Sequence, residues 1–212
     1  MRRHLDCMLE TMVRPVVCAA LFICAALAQN TNFDQLFRNA VDAQQRGEYD
    51  LAIRDYQHLL QLQPNSVEVL ANLGAALAHE GRLDEAILDY ESALKLDPGN
   101  AAIRMNLGLA FYKKNDIQNA ANEFELLRKA EPDNARIGVL LGDCYLRLGH
   151  AAQAIALLTP FEAAHPENLD LAYVLGRGLI ENDRPREGLV LMERVAKQGN
   201  SADAYLIAGR HC

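Results

Sequence analysis

Apolar positions follow a helical spacing along most of this chain, and short polar or glycine-containing breaks interrupt that spacing at regular intervals. Residues three and four apart share one face of an α-helix, so each stretch predicts a helix with one buried side. In the segment VEVLANLGAALAHEGRLDEAILDYESALKLDPGN, two stretches of this kind flank Gly81. The pattern therefore predicts a chain built from antiparallel helical hairpins.

The hairpin pattern repeats with a fixed period. Pro64 and Pro98 are 34 residues apart, and the same step leads on to Pro132 and Pro166. Four further series keep this step: Ala52, Ala86, Ala120, Ala154 and Gly188; Leu73-Gly74, Leu107-Gly108, Leu141-Gly142 and Leu175-Gly176; Leu77, Phe111, Tyr145 and Leu179; and Tyr56, Tyr90, Phe124, Leu158 and Met192. A fixed period is the signature of stacked repeats. It predicts units at 33–66, 67–100, 101–134, 135–168 and 169–202, with a partial unit at 203–212.

Local stop and start signals agree with this period. Each predicted hairpin break has a residue that can adopt the left-handed conformation at a helix end, namely Gly47, Gly81, Asn115, Gly149 and Asp183. Asp50 and Asp84 lie where a side-chain oxygen can accept from free amides of a second helix. Asparagines precede the following first helices at positions 65, 100, 134, 168 and 200. The helix boundaries are therefore encoded locally.

The repeated small and aromatic residues have a predicted packing role. Short side chains in the Leu-Gly and Ala52 series allow the two helices of a hairpin to approach closely, while the Leu77 and Tyr56 series fill the space between hairpins. Pro160 falls inside a predicted second helix, where proline removes a hydrogen bond and clashes with the preceding turn. We therefore predict a kink near Leu157.

The pattern of Leu-Gly, aromatic, Ala, aromatic and Pro residues resembles the tetratricopeptide repeat family, and the resemblance covers residues 33–212. Asn39-Ala40 replaces Leu-Gly in the first unit, Gly188 and Asn200 replace Ala and Pro in the fifth, and the family's frequent tryptophan is absent. The resemblance implies an all-α, right-handed superhelical solenoid of stacked antiparallel helical hairpins. It also implies a scaffold that binds a protein or peptide ligand.

Size and charge narrow the classes of partner. The 212 residues are 50% hydrophobic and 23% charged, with a formal net charge of −7. A chain of this length buries a sizeable core and suits one repeat array. An acidic chain without a lysine- and arginine-rich stripe lacks the surface that drives nucleic-acid affinity, and it is repelled by anionic lipid. We expect no nucleic-acid partner and no membrane-surface partner.

Residues 1–28 have the pattern of a secretory signal peptide. Arginines at positions 2, 3 and 14 precede the apolar run VVCAALFICAALA, which ends at Ala28. The run is shorter than the about 20 residues of a membrane-spanning helix, so cleavage after Ala28 is favoured over a retained anchor. Met12 offers an alternative start. We predict an exported protein, periplasmic or secreted, with a mature part of 29–212 and no stable membrane insertion.

Residues that could carry catalysis, a cofactor or a metal are sparse. Gly176-Arg177-Gly178 lies within a predicted helix, whereas a phosphate-binding loop follows a strand. The histidines are scattered without the paired helical spacing of a metal site. Cys144 and Cys212 are two periods apart, which places them beyond the reach of a disulfide. We expect no enzymatic activity, no cofactor and no metal.

The first helices of a hairpin array line a concave surface, whose residues are free to serve binding. Helical phase places these candidates for peptide binding on it: Phe37, Val41, Asn72, Ala75, Met105, Asn106, Leu109, Tyr112, Val139, Asp143, Leu146, Tyr173 and Arg177. The broader stripe also includes Arg147. Its middle is predicted to be apolar, with polar groups toward both ends. Such a groove suits an amphipathic helix or an extended peptide with hydrophobic anchors.

Two features of this stripe bear on the ligand. Asn72 and Asn106, one period apart, resemble the asparagine ladder by which some tetratricopeptide repeats hold a peptide backbone; the alternative is that they are frequent family residues without that role. The lysines with which family members clamp a terminal carboxylate are missing beside them, so that clamp is not supported.

Two alternatives to a self-sufficient scaffold remain from the sequence. The array stops within a partial unit from Asp203 to Cys212, without a polar capping helix over its last apolar face. The chain is then either the repeat portion of a longer protein, enzymatic or envelope-anchored, or a structural subunit that self-associates through this open end.

Overall fold

A computed structural model describes residues 32–199 of the chain. The predicted signal peptide, the partial unit at 203–212, the expected helix start at Asn200 and Cys212 lie outside the described residues. Within 32–199 every regular element is an α-helix, and the prediction of an all-α solenoid is confirmed.

Ten helices follow one another in the described range. The first, α1, comprises residues 32–45. The others are α2 (Tyr49–Leu62), α3 (Val67–His79), α4 (Leu83–Leu96), α5 (Ala101–Lys113), α6 (Ile117–Ala130), α7 (Ala135–Arg147), α8 (Ala151–Ala164), α9 (Leu169–Glu181) and α10 (Pro185–Gly199). From α2 onward each helix packs against the next one in the chain, and first helices also pack on each other, α3 on α5 and α7 on α9. This order of contacts is that of stacked hairpins.

The turns inside the hairpins adopt the backbone conformation that the sequence predicts. Gly47, Gly81 and Gly149 have φ between 77° and 79°, while Asn115 and Asp183 have φ of 67° and 58°. Each of these residues is the second one after the end of a first helix, where a left-handed residue lets the chain reverse. The five predicted helix terminators are confirmed.

The first helices begin with side-chain caps. Asn100, Asn134 and Asn168 each accept a hydrogen bond from a backbone amide in the first turn of the next helix. At the start of α3 this role belongs to Ser66, which accepts from the Val69 amide at 3.4 Å, rather than to the preceding Asn65. A side-chain cap of this kind stabilises a helix by about 1 kcal/mol.

The predicted caps of the second helices differ from the structure. Asp50 and Asp84 lie within the first turns of α2 and α4, and the residues that precede these helices make no side-chain cap bond. The two carboxylates therefore stabilise the positive end of the helix dipole rather than individual amides.

Glycines of the Leu-Gly series create room for large side chains of the same hairpin. A Cβ atom at Gly74 would lie 2.8 Å from the Tyr90 ring, and one at Gly108 would lie 2.6 Å from the Phe124 ring. Gly142 and Leu158 repeat this arrangement. The Tyr56 series thus packs between the two helices of one hairpin, not only between hairpins as predicted, because the glycine removes the side chain that would keep them apart.

Pro160 lies inside α8, which continues through it from Ala151 to Ala164. The neighbouring Thr159 hydroxyl donates to the Ile155 carbonyl at 2.7 Å. Pro160 has no N–H for the carbonyl of Ala156, four residues earlier. The kink near Leu157 stays a prediction.

One carboxyl group of α4, that of Asp89, is partly buried, and none of the cationic side chains between residues 32 and 199 forms an ion pair with it. Burial, together with the nearby Glu85 carboxylate, raises the pKa of Asp89 from 3.8 to about 6. Because the folded surroundings disfavour the charged carboxylate, Asp89 lowers the free energy of unfolding as the pH rises above its unfolded pKa of about 4. This cost is complete above its folded pKa of about 6 and absent below about pH 4.

We expect Asp89→Asn to raise the free energy of unfolding at pH 7.5 by about 1–2 kcal/mol, after allowance for the solvent that screens a partly exposed group. The gain should shrink between pH 6 and pH 4 and vanish below that, as measured by urea unfolding at several pH values. Asp55→Asn, at the equivalent position of α2, controls for the loss of one negative charge. A gain that stays constant down to low pH would contradict this origin.

Candidate peptide-binding groove

The candidate residues lie on the first helices of the hairpins, and all but Leu146 are partly exposed. Phe37 and Val41 on α1 pack with one side against the amino-terminal core, and Met105, Leu109 and Tyr112 on α5 do so against the next cluster. Part of the surface of each of these apolar side chains is therefore exposed to solvent, and contacts with the core hold the side chain in position. Fixed apolar side chains of this kind can anchor a ligand at low entropic cost.

Leu146 is a correction to the predicted groove. Its side chain is only 5% exposed and belongs to the core cluster that includes Ile155 and Leu175. A Leu146 methyl lies 3.2 Å from where a Cβ of Gly178 would be. The absence of a side chain at Gly178 draws Leu146 into the contact between α7 and α9, so it cannot contact a ligand.

A polar network joins three successive first helices. The Tyr112 hydroxyl on α5 donates to one oxygen of the Asp143 carboxylate on α7. The Arg177 guanidinium on α9 donates to the other oxygen at 3.0 Å and also reaches Glu181 at 3.4 Å. Asp143 is therefore held from both sides, and its side chain is 15% exposed. Tyr112, Asp143 and Arg177 were all predicted groove residues, and the structure brings them together.

A second arginine is fixed beside this network. The Arg147 guanidinium donates to the Asn115 side chain, and its carbon lies 4.6 Å from the centre of the Tyr112 ring. Arg177 lies similarly over the Tyr173 ring, at 5.8 Å. A cation over an aromatic face gains about 0.5–1 kcal/mol at an exposed site, so both guanidinium groups are held in place before a ligand arrives.

The electrostatics of the network keep its hydroxyl group protonated. Burial, followed by the hydrogen bond to Asp143, raises the pKa of Tyr112 above its usual value. At neutral pH Tyr112 is thus a hydrogen-bond donor to Asp143, and the carboxylate also neutralises part of the Arg177 charge.

The structure changes the predicted distribution of polarity along the groove. Met105, Leu109 and Val139 form the apolar part, but Tyr112 and Asp143 interrupt it in the middle. Asn72 and Asn106 are partly exposed, and neither amide makes a side-chain hydrogen bond to another residue of the described range. Their amides are thus available to a ligand, as the ladder requires.

Two participants of the network were missed by the sequence reasoning. Asn115 was assigned only to a hairpin turn and Glu181 was not considered, yet they fix Arg147 and Arg177. Asn115 and Arg147 are 32 residues apart, and Tyr112 and Asp143 are 31 apart. A spacing just short of one period is the signal that could have found the Asn115–Arg147 pair, and a spacing of four residues on one helix could have found Glu181 beside Arg177.

The described part of the chain also bears on metal binding, membrane insertion and thiol chemistry. Between residues 32 and 199, no three His, Cys, Asp or Glu side chains come together as they would around a metal ion. No helix in that range has the length and apolarity to cross a membrane. Cys144 is fully buried, which raises the pKa of its thiol to about 12 and keeps it protonated.

These stacked antiparallel helical hairpins define a solenoid of the helical-repeat class. The protein-family model described as "TPR repeat" matches residues 44–81 and 77–115 of this chain. The family model described as "Anaphase-promoting complex, cyclosome, subunit 3" matches residues 113–195. The chain belongs to the tetratricopeptide repeat family.

Solved structures of MamA share this fold. MamA from Desulfovibrio magneticus RS-1 is 24% identical, with a TM-score of 0.73 over 81% of this chain and 97% of that one. A second MamA crystal structure is 22% identical, with a TM-score of 0.69 over 76% of this chain and 94% of that one. No curated protein matches the sequence. At these identities the likeness establishes the fold alone.

Proposed function

We propose that this protein is an exported, non-catalytic scaffold that binds a segment of another protein in its concave groove. Tetratricopeptide repeat proteins are protein-interaction scaffolds, and that general role follows from the family. The groove, the export and the form of the ligand are the proposal. The observation that carries it is the network of Tyr112, Asp143 and Arg177, which fixes polar groups of three repeats beside partly exposed apolar side chains.

The chemistry of the groove favours a peptide over a small metabolite. Met105, Leu109 and Val139 offer partly exposed apolar surface on consecutive repeats, which suits hydrophobic anchors spaced along a chain. Asn72 and Asn106 can each exchange two hydrogen bonds with a peptide backbone, because a side-chain amide both donates and accepts. The ligand is then an extended segment or an amphipathic helix that follows the stack of first helices.

Export is the second part of the proposal. It is supported by the basic residues and the apolar run of residues 1–28, which together have the order of a secretory signal. In the exported chain Cys144 is the cysteine that the described fold buries, so the oxidising environment outside the cytoplasm leaves the core unchanged.

Met105→Glu should weaken partner capture at this groove, because a carboxylate placed among the apolar anchors would have to be desolvated on binding. The measurement is affinity capture from an extracytoplasmic extract with residues 29–212 as bait, followed by mass spectrometry. Binding of the captured protein should weaken at least about tenfold, while the helical circular dichroism stays unchanged.

Leu88→Glu is the matched control, since Leu88 is 62% exposed on the second helix α4 and carries the same added charge. Capture of the same protein by the Met105→Glu and Leu88→Glu forms with equal affinity would place its binding outside the groove. Recovery of the full-length chain with residues 1–28 still attached, in the cytoplasm alone, would contradict export.

A further inference from the structure

A cleft of about 640 Å³ opens between the second helices α6 and α8, outside the concave groove. Leu157 and Phe161 of α8 contribute apolar surface to it, and Tyr145 of α7 also lines it. Arg128 of α6 lies at the cleft as well. Its volume is in the range of sites that hold a drug-sized ligand or a few side chains.

The equivalent place one repeat earlier, between α4 and α6, contains an ion pair. There Arg104 on α5 and Glu123 on α6 pair at 2.7 Å, with both side chains about four-fifths buried. Moving forward by one period of 34 residues replaces Arg104 by Gly138 and Glu123 by Leu157. The α6–α8 cleft has a volume of about 640 Å³, whereas the one between α4 and α6 has about 440 Å³. Its apolar Leu157 occupies the position that corresponds to the Glu123 carboxylate.

The equivalent place one repeat later, between α8 and α10, is also bridged by charges. Glu162 of α8 and Arg194 of α10 pair at 2.8 Å across the two helices. In the α6–α8 cleft, one period of 34 residues earlier, Arg128 corresponds to Glu162 and Pro160 corresponds to Arg194. Proline carries no charge, so these two positions cannot form an ion pair. Among residues 32–199, Arg128 has no carboxylate within ion-pair distance.

Pro160 adds a second unusual group to the cleft. Ala156, which lines the cleft, has a carbonyl that lacks its usual helical donor because Pro160 carries no N–H. The cleft therefore combines apolar surface, a free guanidinium group and a backbone acceptor, while both neighbouring places have an internal ion pair instead.

We propose that the α6–α8 cleft is a second binding site, which takes a peptide segment with an aromatic or large aliphatic side chain next to a carboxylate. The apolar side chain lies against Leu157 and Phe161, the carboxylate pairs with Arg128, and a peptide N–H donates to the carbonyl of Ala156. Asp133 also lines the cleft, and its negative charge repels a second carboxylate of the ligand. This site is independent of the concave groove.

The test uses N-acetyl-L-phenylalanine as the probe, because it combines an aromatic ring, a carboxylate and one amide N–H. Amide shifts of the ¹⁵N-labelled protein are followed during titration. We expect saturable shifts around Tyr145, Leu157 and Phe161, with a Kd on the order of 1 mM for a ligand of this size. N-acetyl-L-phenylalaninamide, which lacks the charge, should bind about threefold to tenfold more weakly.

Two pairs of variants separate the site from non-specific binding. Ala156→Trp should fill the cleft and abolish the shifts, whereas Ala152→Trp, one turn earlier on an exposed part of α8, should leave them unchanged. Arg128→Gln should weaken the acid about threefold to tenfold, and the adjacent Lys129→Gln should not.

Four results would overturn the proposal. The first three are shifts that survive in Ala156→Trp, equal affinity for the acid and the amide, and the absence of saturable shifts at the cleft at millimolar probe. Shifts confined to Tyr112 and Tyr173 would assign the probe to the concave groove instead, and that result would also overturn the cleft.

Discussion

Replacing Phe124 with alanine should lower the free energy of unfolding by about 3–5 kcal/mol. The ring is 0% exposed, and it fills the space that Gly108 leaves between α5 and α6. Since Gly108 has no side chain that could move into the void, the two helices can only close it by shifting their backbones. The cavity therefore persists, and its cost adds to the lost burial of the ring.

The measurement is urea unfolding followed by circular dichroism, with Leu126→Ala as the matched control on the same helix. Leu126 is 44% exposed, so its truncation should change the free energy of unfolding by about 0.5 kcal/mol or less. Phe124→Leu, which keeps more of the buried volume, should fall between the two. Equal losses for Phe124→Ala and Leu126→Ala would show that the glycine-aromatic contact does not support the hairpin.

Asp143→Ala should cost about 2–3 kcal/mol, the second largest effect that we expect. The substitution removes the acceptor of two hydrogen bonds, from Tyr112 and from the Arg177 guanidinium. Bonds to a charged group contribute about 1.5–3 kcal/mol, and Arg177 would keep only its longer contact with Glu181. The partial exposure of Arg177 holds the cost below that of breaking a fully buried ion pair.

A double-mutant cycle of Asp143→Ala and Arg177→Ala isolates the interaction itself, and we expect a coupling of about 1–2 kcal/mol. Asp170→Ala is the control, because Asp170 is an exposed carboxylate in the first turn of α9. The same variants should weaken ligand capture in the groove, since the network would no longer fix Arg177. Additive stability losses would mean that the two side chains do not cooperate across the repeats.

The proposed peptide-binding groove and the α6–α8 cleft differ in how the repeats build them. The groove arises from contacts that link one repeat to the next, such as Asp143 with Arg177, which are 34 residues apart. The cleft lies at the one of three equivalent places that lacks an ion pair; Arg104 pairs with Glu123 one repeat earlier, and Glu162 pairs with Arg194 one repeat later. A regular array thus gains individual sites through side chains that depart from the repeated pattern.

The repeat period, the helical hairpins and the turn positions were all determined by the sequence. They are local properties: a left-handed residue ends a helix within one turn, and an asparagine caps the helix that follows it. For this reason the turns at Gly81 and Asn115 and the caps at Asn100 and Asn168 could be predicted without a partner segment. At α3 the sequence offers two adjacent cap residues, Asn65 and Ser66, and the structure shows that Ser66 is the one that accepts the bond.

The stripe of groove residues could be predicted from helical phase, but its details needed the packed structure. Phase states which side of a helix a residue occupies and not what the neighbouring helix places against it. Leu146, predicted to contact a ligand, is buried in the core because Gly178 has no side chain at that place. Arg177 and Asp143, two other predicted contacts, lie on different helices and are joined by a hydrogen bond. The α6–α8 cleft follows the same rule, because it depends on Gly138, Leu157, Arg128 and Pro160 meeting from three helices. Local spacing determined the array, whereas the distance between side chains on different helices, which only the tertiary structure decides, determined its sites.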